Sequence, residues 1–364
     1  MKRTIAIKLN ITENQHLDLF QLQKTFSGAC QAVAEIADKE KEINRVRLHH
    51  LSYYTLRQRF PEIGSQMSCN AIAKVANALK ALKKKRKINF KENASIHFDK
   101  RTYSLKEKVL SLFTLQGRIK IPLEICPFHA SYINVGTFKE AELVRKGNQW
   151  FFNLVLEIPE PVQKQSGKIL AVDFGENNMA ATSSGKLFGG GAIKDHRDKF
   201  LAHRRRLQSN GSQSAKQRLK RISGKEGRRV KHVNHVVAKE IIDEAIKNEC
   251  KTIVLEDLKN IRERIRGNKK MRSRLHRWSF DELRRFVEYK AQAKGIEVVY
   301  VNPAYTSQTC SKCSSHGSRC KHRFVCPNCG SQQHSDLNAS QNLLRLAMSA
   351  DIATGEVNRR NVAA

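Results

Sequence analysis

The chain has 364 residues, of which 40% are apolar, enough to bury two or three hydrophobic cores and too apolar for a disordered tail. Lys and Arg number 67 against 34 Asp and Glu, a formal net charge of +33. An excess of that size needs a polyanion to offset its self-repulsion, and nucleic acid is the expected one; a membrane surface would ask for an amphipathic or lipidated anchor, and none is visible.

The basic start Met1-Lys-Arg3 runs at once into an alternating segment, unlike a secretory signal, and no apolar run approaches a membrane span. An intracellular location is expected, where the 9 cysteines are thiols or metal ligands and not a disulfide framework.

Thr4 to Ile11 alternates as a strand does, and Leu19, Leu22, Phe26, Ala29, Val33 and Ile36 then step by three and four along one amphipathic helix. Residues 45 to 85 read as helical again, with Met67, Ala71, Val75, Leu79 and Leu82 on one stripe, and end in the basic run Lys83 to Lys87. From about 95 the period becomes two: Ser95 to Phe98, Val109 to Leu115, Arg118 to Ile121, Ala141 to Val144, and Trp150 to Ile158 predict strands. Pro159 to Gly167 is the best linker.

Beyond it, Lys168-Ile-Leu-Ala-Val-Asp-Phe-Gly175 predicts a buried strand, and Met179 to Thr182 and Lys186 to Phe188 complete an antiparallel meander. Residues 194 to 235 are mostly helical and basic, and Val236 to Ile246 leads as a helix into a second buried strand, Thr252 to Glu256. A helix over Phe280 to Ala293, capped at Gly295, precedes a third, Glu297 to Val301. This order resembles an RNase H-like fold, whose mixed sheet gathers acids at one end.

Asp173 and Glu256 each end an apolar strand, and Asp336 opens an amphipathic helix after His334-Ser335. Any one alone is more often a turn former or helix cap. Together they make the donor set that two Mg²⁺ ions, or Mn²⁺ in their place, require for in-line phosphodiester displacement; without cations the three charges repel. Cys310-Ser-Lys-Cys313 and Cys326-Pro-Asn-Cys329, with 12 residues between them, have the spacing of a closed tetrahedral Cys₄ zinc site, structural and not catalytic. Cys320 and His322 lie between the knuckles as alternative ligands, while Cys30, Cys69, Cys126 and Cys250 sit in apolar patterns as core thiols.

Between Lys194 and His235 there are 14 Lys or Arg and 3 acids, and Arg262, Arg264, Arg266, Lys269, Lys270, Arg272, Arg274 and Arg277 face Glu263 alone. Neither run carries interleaved aromatics, so contacts to a nucleic-acid backbone with strong salt dependence are expected. Tyr53, Tyr54 and Phe60 can stack on bases, though core packing is the expectation for each.

With these residues assembled, the chain resembles transposon-encoded TnpB proteins, RuvC-type RNA-guided nucleases similar to compact type V CRISPR effectors. The resemblance covers nearly the whole chain and is most specific in Trp278-Ser-Phe280, Val301-Asn-Pro303, Thr306-Ser-Gln-Thr-Cys-Ser-Lys-Cys313, Cys326-Pro-Asn-Cys-Gly330 and Asp336-Leu-Asn-Ala339. Val172-Asp-Phe-Gly175 and Val254-Leu-Glu-Asp-Leu-Lys259 look like the first two RuvC motifs, so the catalytic carboxylates carry over to Asp173, Glu256 and Asp336. Ser340 and His334 depart from the family pattern, which more often has Ala and an acid there.

The resemblance implies an α+β multidomain chain: a wedge β-barrel (1–12 and 95–162), an inserted helical recognition lobe (13–94), an RNase H-like RuvC nuclease domain (163–309 and 331–346), a Cys₄ zinc ribbon (310–330) and a flexible tail (347–364). It implies a guide RNA, a double-stranded DNA target entered at a short adjacent motif, Mg²⁺-dependent cleavage of both strands at one RuvC centre, and a bacterial or archaeal cytoplasm, on the nucleoid when DNA is bound. The rivals are a CRISPR effector with a separately encoded guide, a nuclease-inactive RNA-guided repressor and a zinc-ribbon nucleic-acid chaperone.

Overall fold

The computed structural model describes residues 1–82, 87–175, 177–258, 279–302 and 306–353. The chain divides into two compact units, Met1–Pro159 and Glu160–Ala364.

In the first unit, β1 (Lys2–Leu9) buries Ile5, Ile7 and Leu9 and pairs antiparallel with β7 (Gln149–Glu157), from Lys2 opposite Glu157 to Leu9 opposite Trp150. β6 (Thr137–Lys146) and β2 (Ile96–Phe98) complete a sheet of order β1-β7-β6-β2. Helix α1 (Glu13–Glu40) starts at a capping box, the Thr12 hydroxyl accepting from the Gln15 N–H and the Gln15 side chain answering. Leu19, Leu22, Phe26, Ala29 and Val33 face the core, as the sequence spacing requires. The helical stretch expected over 45–85 is two helices, α2 (Arg45–Arg59) and α3 (Gly64–Ala81). Pro61 causes the break, because a residue before proline is pushed out of helical geometry, and Phe60 has φ −135° and ψ 63°.

A second sheet, β3-β4-β5, has a strand the sequence pattern hides, β3 (Tyr103–Lys106), paired with β4 (Val109–Thr114) ahead of β5 (Gly117–Pro122). The β3–β4 turn places Glu107 and Lys108 at φ 47° and 65°, the left-handed pair that a two-residue hairpin needs and that Asn-Gly normally signals. Helix α4 (Pro127–Ile133) buries no residue. Cys126, at its N-terminal edge, is therefore exposed and not the core thiol expected from its apolar neighbours; Cys30 and Cys250 are buried. Tyr53 and Phe60 pack partly against the core, whereas Tyr54 is 75% exposed. Lys83 to Arg86, most of the expected basic run, lie outside the described residues.

The second unit is built on a five-stranded mixed sheet of order β10-β9-β8-β11-β12. β8 (Lys168–Asp173), β9 (Asn178–Thr182) and β10 (Leu187–Gly189) form the expected antiparallel meander. β11 (Cys250–Glu256) and β12 (Glu297–Val301) run parallel to β8. Side chains alternate across this sheet. Leu170, Val172, Ile253 and Leu255 join one core with α7 (Lys225–Lys247) and α8 (Phe280–Gln292). Ala171 and Val254 join another with Leu343 and Ala347 of α9 (Ser335–Ala353). Each fully buried Leu or Ile contributes roughly 1.5–3 kcal/mol, against about 0–1 for an exposed ion pair, so the two apolar faces hold the sheet. Gly295, at φ 67°, ends α8 as its cap. No helix among the described residues is long and apolar enough to cross a membrane.

Candidate metal centres

The period of two places the acids. Asp173 follows Val172 and so falls on the same sheet face as Ala171; Glu256 follows Leu255 and falls with Val254, the face that α9 covers. Val172 lies opposite Leu255 in the parallel ladder, so the next residue of each strand, Asp173 and Glu256, leaves the sheet side by side. Asp336, in the first turn of α9, comes to the same end: a Cβ built on Gly175 would stand 3.8 Å from Asp336 Oδ2. All three carboxyls are buried.

Their titration follows from that crowding. Burial pushes Asp173 up to about 6; the hydrogen bond with Glu256 opposes the shift, the Asp336 charge adds to it and Arg319 offsets it. Burial, the Asp173 charge and the proton shared with Asp173 raise Glu256 well above the usual carboxylate range. The ion-free pair thus holds a proton between its two carboxyls that a divalent cation would displace.

Asp336 is held differently. Its Oδ1 accepts from Arg319 Nη2 at 3.1 Å and the Ser335 hydroxyl at 3.2 Å, and its Oδ2 accepts from Asn178 Nδ2 at 2.9 Å. Arg319 and Asn178 have no motif around them in the sequence. The available signal for Arg319 was its place on the short hairpin β13 (Ser318–Cys320) and β14 (Arg323–Val325) between the two cysteine pairs. His322 and His334, with ring centroids 5.3 Å apart, bring ligand atoms within 4.8 Å of each other and of Asp336. His334 Nδ1 accepts the Asp336 backbone N–H at 3.2 Å, which in the neutral ring puts the proton on Nε2 and leaves neither nitrogen free for a metal, so this pair packs around Asp336.

The sulfurs of Cys310, Cys313, Cys326 and Cys329 all lie within 4.8 Å of one another, Cys310 to Cys329 at 3.6 Å and Cys313 to Cys326 at 3.5 Å. Zn–S bonds of about 2.3 Å set tetrahedral S···S edges of about 3.8 Å, so the cluster can bind zinc with little movement. The two knuckles repeat one geometry: the Cys310 N–H donates to the Ser315 carbonyl and that of Cys326 to the Ser331 carbonyl, each turn passing through a left-handed residue, Ser314 or Gly330. The Ser315 N–H and hydroxyl bring the Cys313 thiol down to about 6, favouring the thiolate a metal takes. Cys320 is exposed and is not a member of the cluster.

The ribbon is bolted to α9 by side-chain amides. Asn338 Oδ1 accepts from the Ser311 N–H at 2.9 Å and from Gln333 Nε2 at 2.7 Å, and Asn338 Nδ2 and Asn342 Nδ2 donate to the Thr309 carbonyl at 2.7 and 2.6 Å. β15 (Gln332–His334) runs from the second knuckle into the helix that carries Asp336.

The 14 basic residues lie on α5 (Gly191–Asn210), α6 (Gln213–Ile222) and the start of α7; Lys194 and Arg197 are half-buried and the rest are exposed. Only Ile193 is buried in α5, and only Ala215 and Ile222 in α6, so these two helices have little apolar reason to be there beyond their charge. Arg262 to Arg277, the second expected run, lies outside the described residues.

Residues 153–262, with Asp173 and Glu256, match the family described as a probable transposase (OrfB_IS605), and residues 280–343, with the four cysteines and Asp336, match the Cas12f1-like TNB domain. A TnpB-like protein of Methanocaldococcus jannaschii is 31% identical over 246 residues, 62% of this chain and 86% of that protein. A CRISPR-associated endodeoxyribonuclease Cas12f1 of Sulfoacidibacillus thermotolerans is 31% identical over 217 residues, 54% of this chain and 50% of the relative, so the chain spans half the length of that enzyme. In fold, the chain is similar to Cas12f1 as solved by cryo-EM with sgRNA and target DNA, at a TM-score of 0.64 and 19% identity over 92% of this chain and 83% of that one.

Proposed function

The chain belongs to the TnpB-like family, and on that footing we propose that it is an RNA-guided DNA endonuclease that hydrolyses target phosphodiesters at Asp173, Glu256 and Asp336. The observation that carries the reading is the delivery of three buried carboxyls, from β8, β11 and α9, to one end of one sheet face. An antiparallel meander continued by two parallel strands supports the RNase H-like (RuvC) assignment of 163–309 and 331–346.

The donor set fits hard divalent cations, Mg²⁺ or Mn²⁺, because it offers only carboxylate oxygens, and burial and mutual repulsion raise Asp173 and Glu256 in a way a cation would relieve. Two such ions, when bound, would clamp the attacking and leaving oxygens of an in-line displacement. Asp173 and Glu256 would hold them as carboxylates, each giving up the proton that burial favours. Asp336 keeps its orientation through Arg319 and Asn178. The Cys₄ ribbon, 310–330, is structural and holds the start of α9. The exposed cations of α5 and α6 track the backbone of a guide RNA paired with DNA, while sequence choice rests on the RNA. Residues 1–12 and 95–162 form the wedge and 13–94 the recognition lobe.

The similarity to Cas12f1 supports a second reading of the same chemistry, a compact type V effector whose guide is encoded apart. One experiment addresses guidance: co-express the chain with its flanking locus, sequence the RNA that purifies with it, and challenge the complex with a target library randomised beside the guide match. A discrete RNA and a short adjacent motif are expected; the absence of any discrete RNA contradicts the proposal.

A further inference from the structure

We infer that Asn178 is a positioning residue for the carboxylate centre, fixing Asp336 Oδ2 through a neutral hydrogen bond while Arg319 holds Oδ1; this rests on the metal-centre reading above. Asp336, as a carboxylate, only accepts, so the carboxamide must turn its Nδ2 toward Oδ2, where it stands at 2.9 Å. The same nitrogen is 3.5 Å from His334 Nε2.

Three features of the chain aim that side chain. The turn from β8 to β9 is tight enough that a Cβ on Gly175 would meet the Asn178 carbonyl at 2.7 Å, so glycine brings Asn178 beneath the strand-end acids. Asn177, its neighbour, is pinned by the Gly190 N–H donating to its carbonyl at 2.7 Å. On the other side, Gly189 pairs with Asn178 at a register shift between Phe188 and Gly189, the kind of irregularity that re-aims a side chain beside a site.

The chemistry explains an amide at this place. An acid would add a fourth negative charge and lose the donor, while a lysine would add a second cation to the Arg319 guanidinium already 3.1 Å from Asp336 Oδ1, where a metal must enter. Asn178 orients Asp336 and leaves its charge available. Removing the outer partner of a ligand costs about 10–100-fold in metal affinity.

The test is Mn²⁺ binding, followed by electron paramagnetic resonance, to the full zinc-loaded chain and to Asn178→Ala, Asn178→Asp and Asp173→Ala. Asn178→Ala and Asn178→Asp are expected to weaken Mn²⁺ about 10-fold or more, with zinc content and melting unchanged. In the RNA complex the Mg²⁺ needed for half-maximal cleavage should rise by a similar factor, with the rate at saturating Mg²⁺ little altered. Wild-type affinity in Asn178→Ala, or tighter binding in Asn178→Asp, overturns the role while Asp173→Ala still loses the ion. If Asp173→Ala also binds as wild type, the metal-centre reading fails and this inference with it.

Discussion

Two clusters of acidic side chains lie within one unit of this chain, and they are stabilised in opposite ways. The four thiols of the ribbon come from two turns only 12 residues apart, each cysteine pair backed by its own backbone hydrogen bonds and with sulfurs 3.5–3.6 Å apart. The three carboxyls come from segments 83 and 80 residues apart (256 − 173 and 336 − 256), are crowded by a sheet and a helix packed for other reasons, and without a cation answer by keeping a proton. On the proposed reading, the closed, local cluster is a staple and the open, assembled one a reaction centre that needs an ion and can release it.

The comparison breaks most sharply at the zinc. Stripping it with a strong chelator, or Cys326→Ser, should remove on the order of 10 kcal/mol of local folding free energy and abolish cleavage by freeing Arg319 and the start of α9. Hydrogen exchange across 310–336 should rise by orders of magnitude, and unaltered protection there would show that the cysteines are not a staple.

The carboxyl pair predicts a smaller, pH-dependent effect. With Asp173 near 6 in the folded chain against an ordinary 3.8, the folded state binds the extra proton. Ion-free stability therefore falls as pH rises between those values, by roughly 3 kcal/mol, and keeps falling as Glu256, itself raised well above the carboxylate range, loses its proton. Added Mg²⁺ should restore it at neutral pH, and Asp173→Asn should flatten the profile; calorimetric melting from pH 4 to 8 measures both.

Next comes the turn between β8 and β9. Gly175→Ala places a Cβ against the Asn178 carbonyl and should cost about 1–3 kcal/mol, with weaker Mn²⁺ binding as the turn opens. A melting temperature equal to wild type would mean that this turn has room to spare. The mildest change is Arg204→Ala, Arg205→Ala and Arg206→Ala together on exposed α5. It should leave folding intact and lower the salt dependence of nucleic-acid binding by about one unit of slope for each phosphate no longer neutralised.

Much of the second unit was legible because β8 and β11 are short apolar runs ending in an acid, and the period of two then assigns Asp173 and Glu256 to one face. The cysteine pairs were legible from spacing alone. Asp336 was harder, since nothing local distinguishes it from a helix cap, and the family resemblance carried it. Asn178 and Arg319 escaped notice because their role exists only once β9, the ribbon hairpin and α9 meet. In the first unit, β3 was hidden by a Glu107-Lys108 turn that lacks the usual glycine, and Cys126 was misplaced because α4 turns only its far end, Tyr132 and Ile133, partly onto the core and leaves its start exposed.

The most direct test of the central claim is cleavage of a matched plasmid target by the purified RNA complex carrying Asp173→Ala, in Mg²⁺ and at the concentration that saturates the wild type. The account predicts that the variant retains its RNA and its zinc and cleaves neither strand. Cleavage at the wild-type rate would contradict it and move the reaction centre elsewhere.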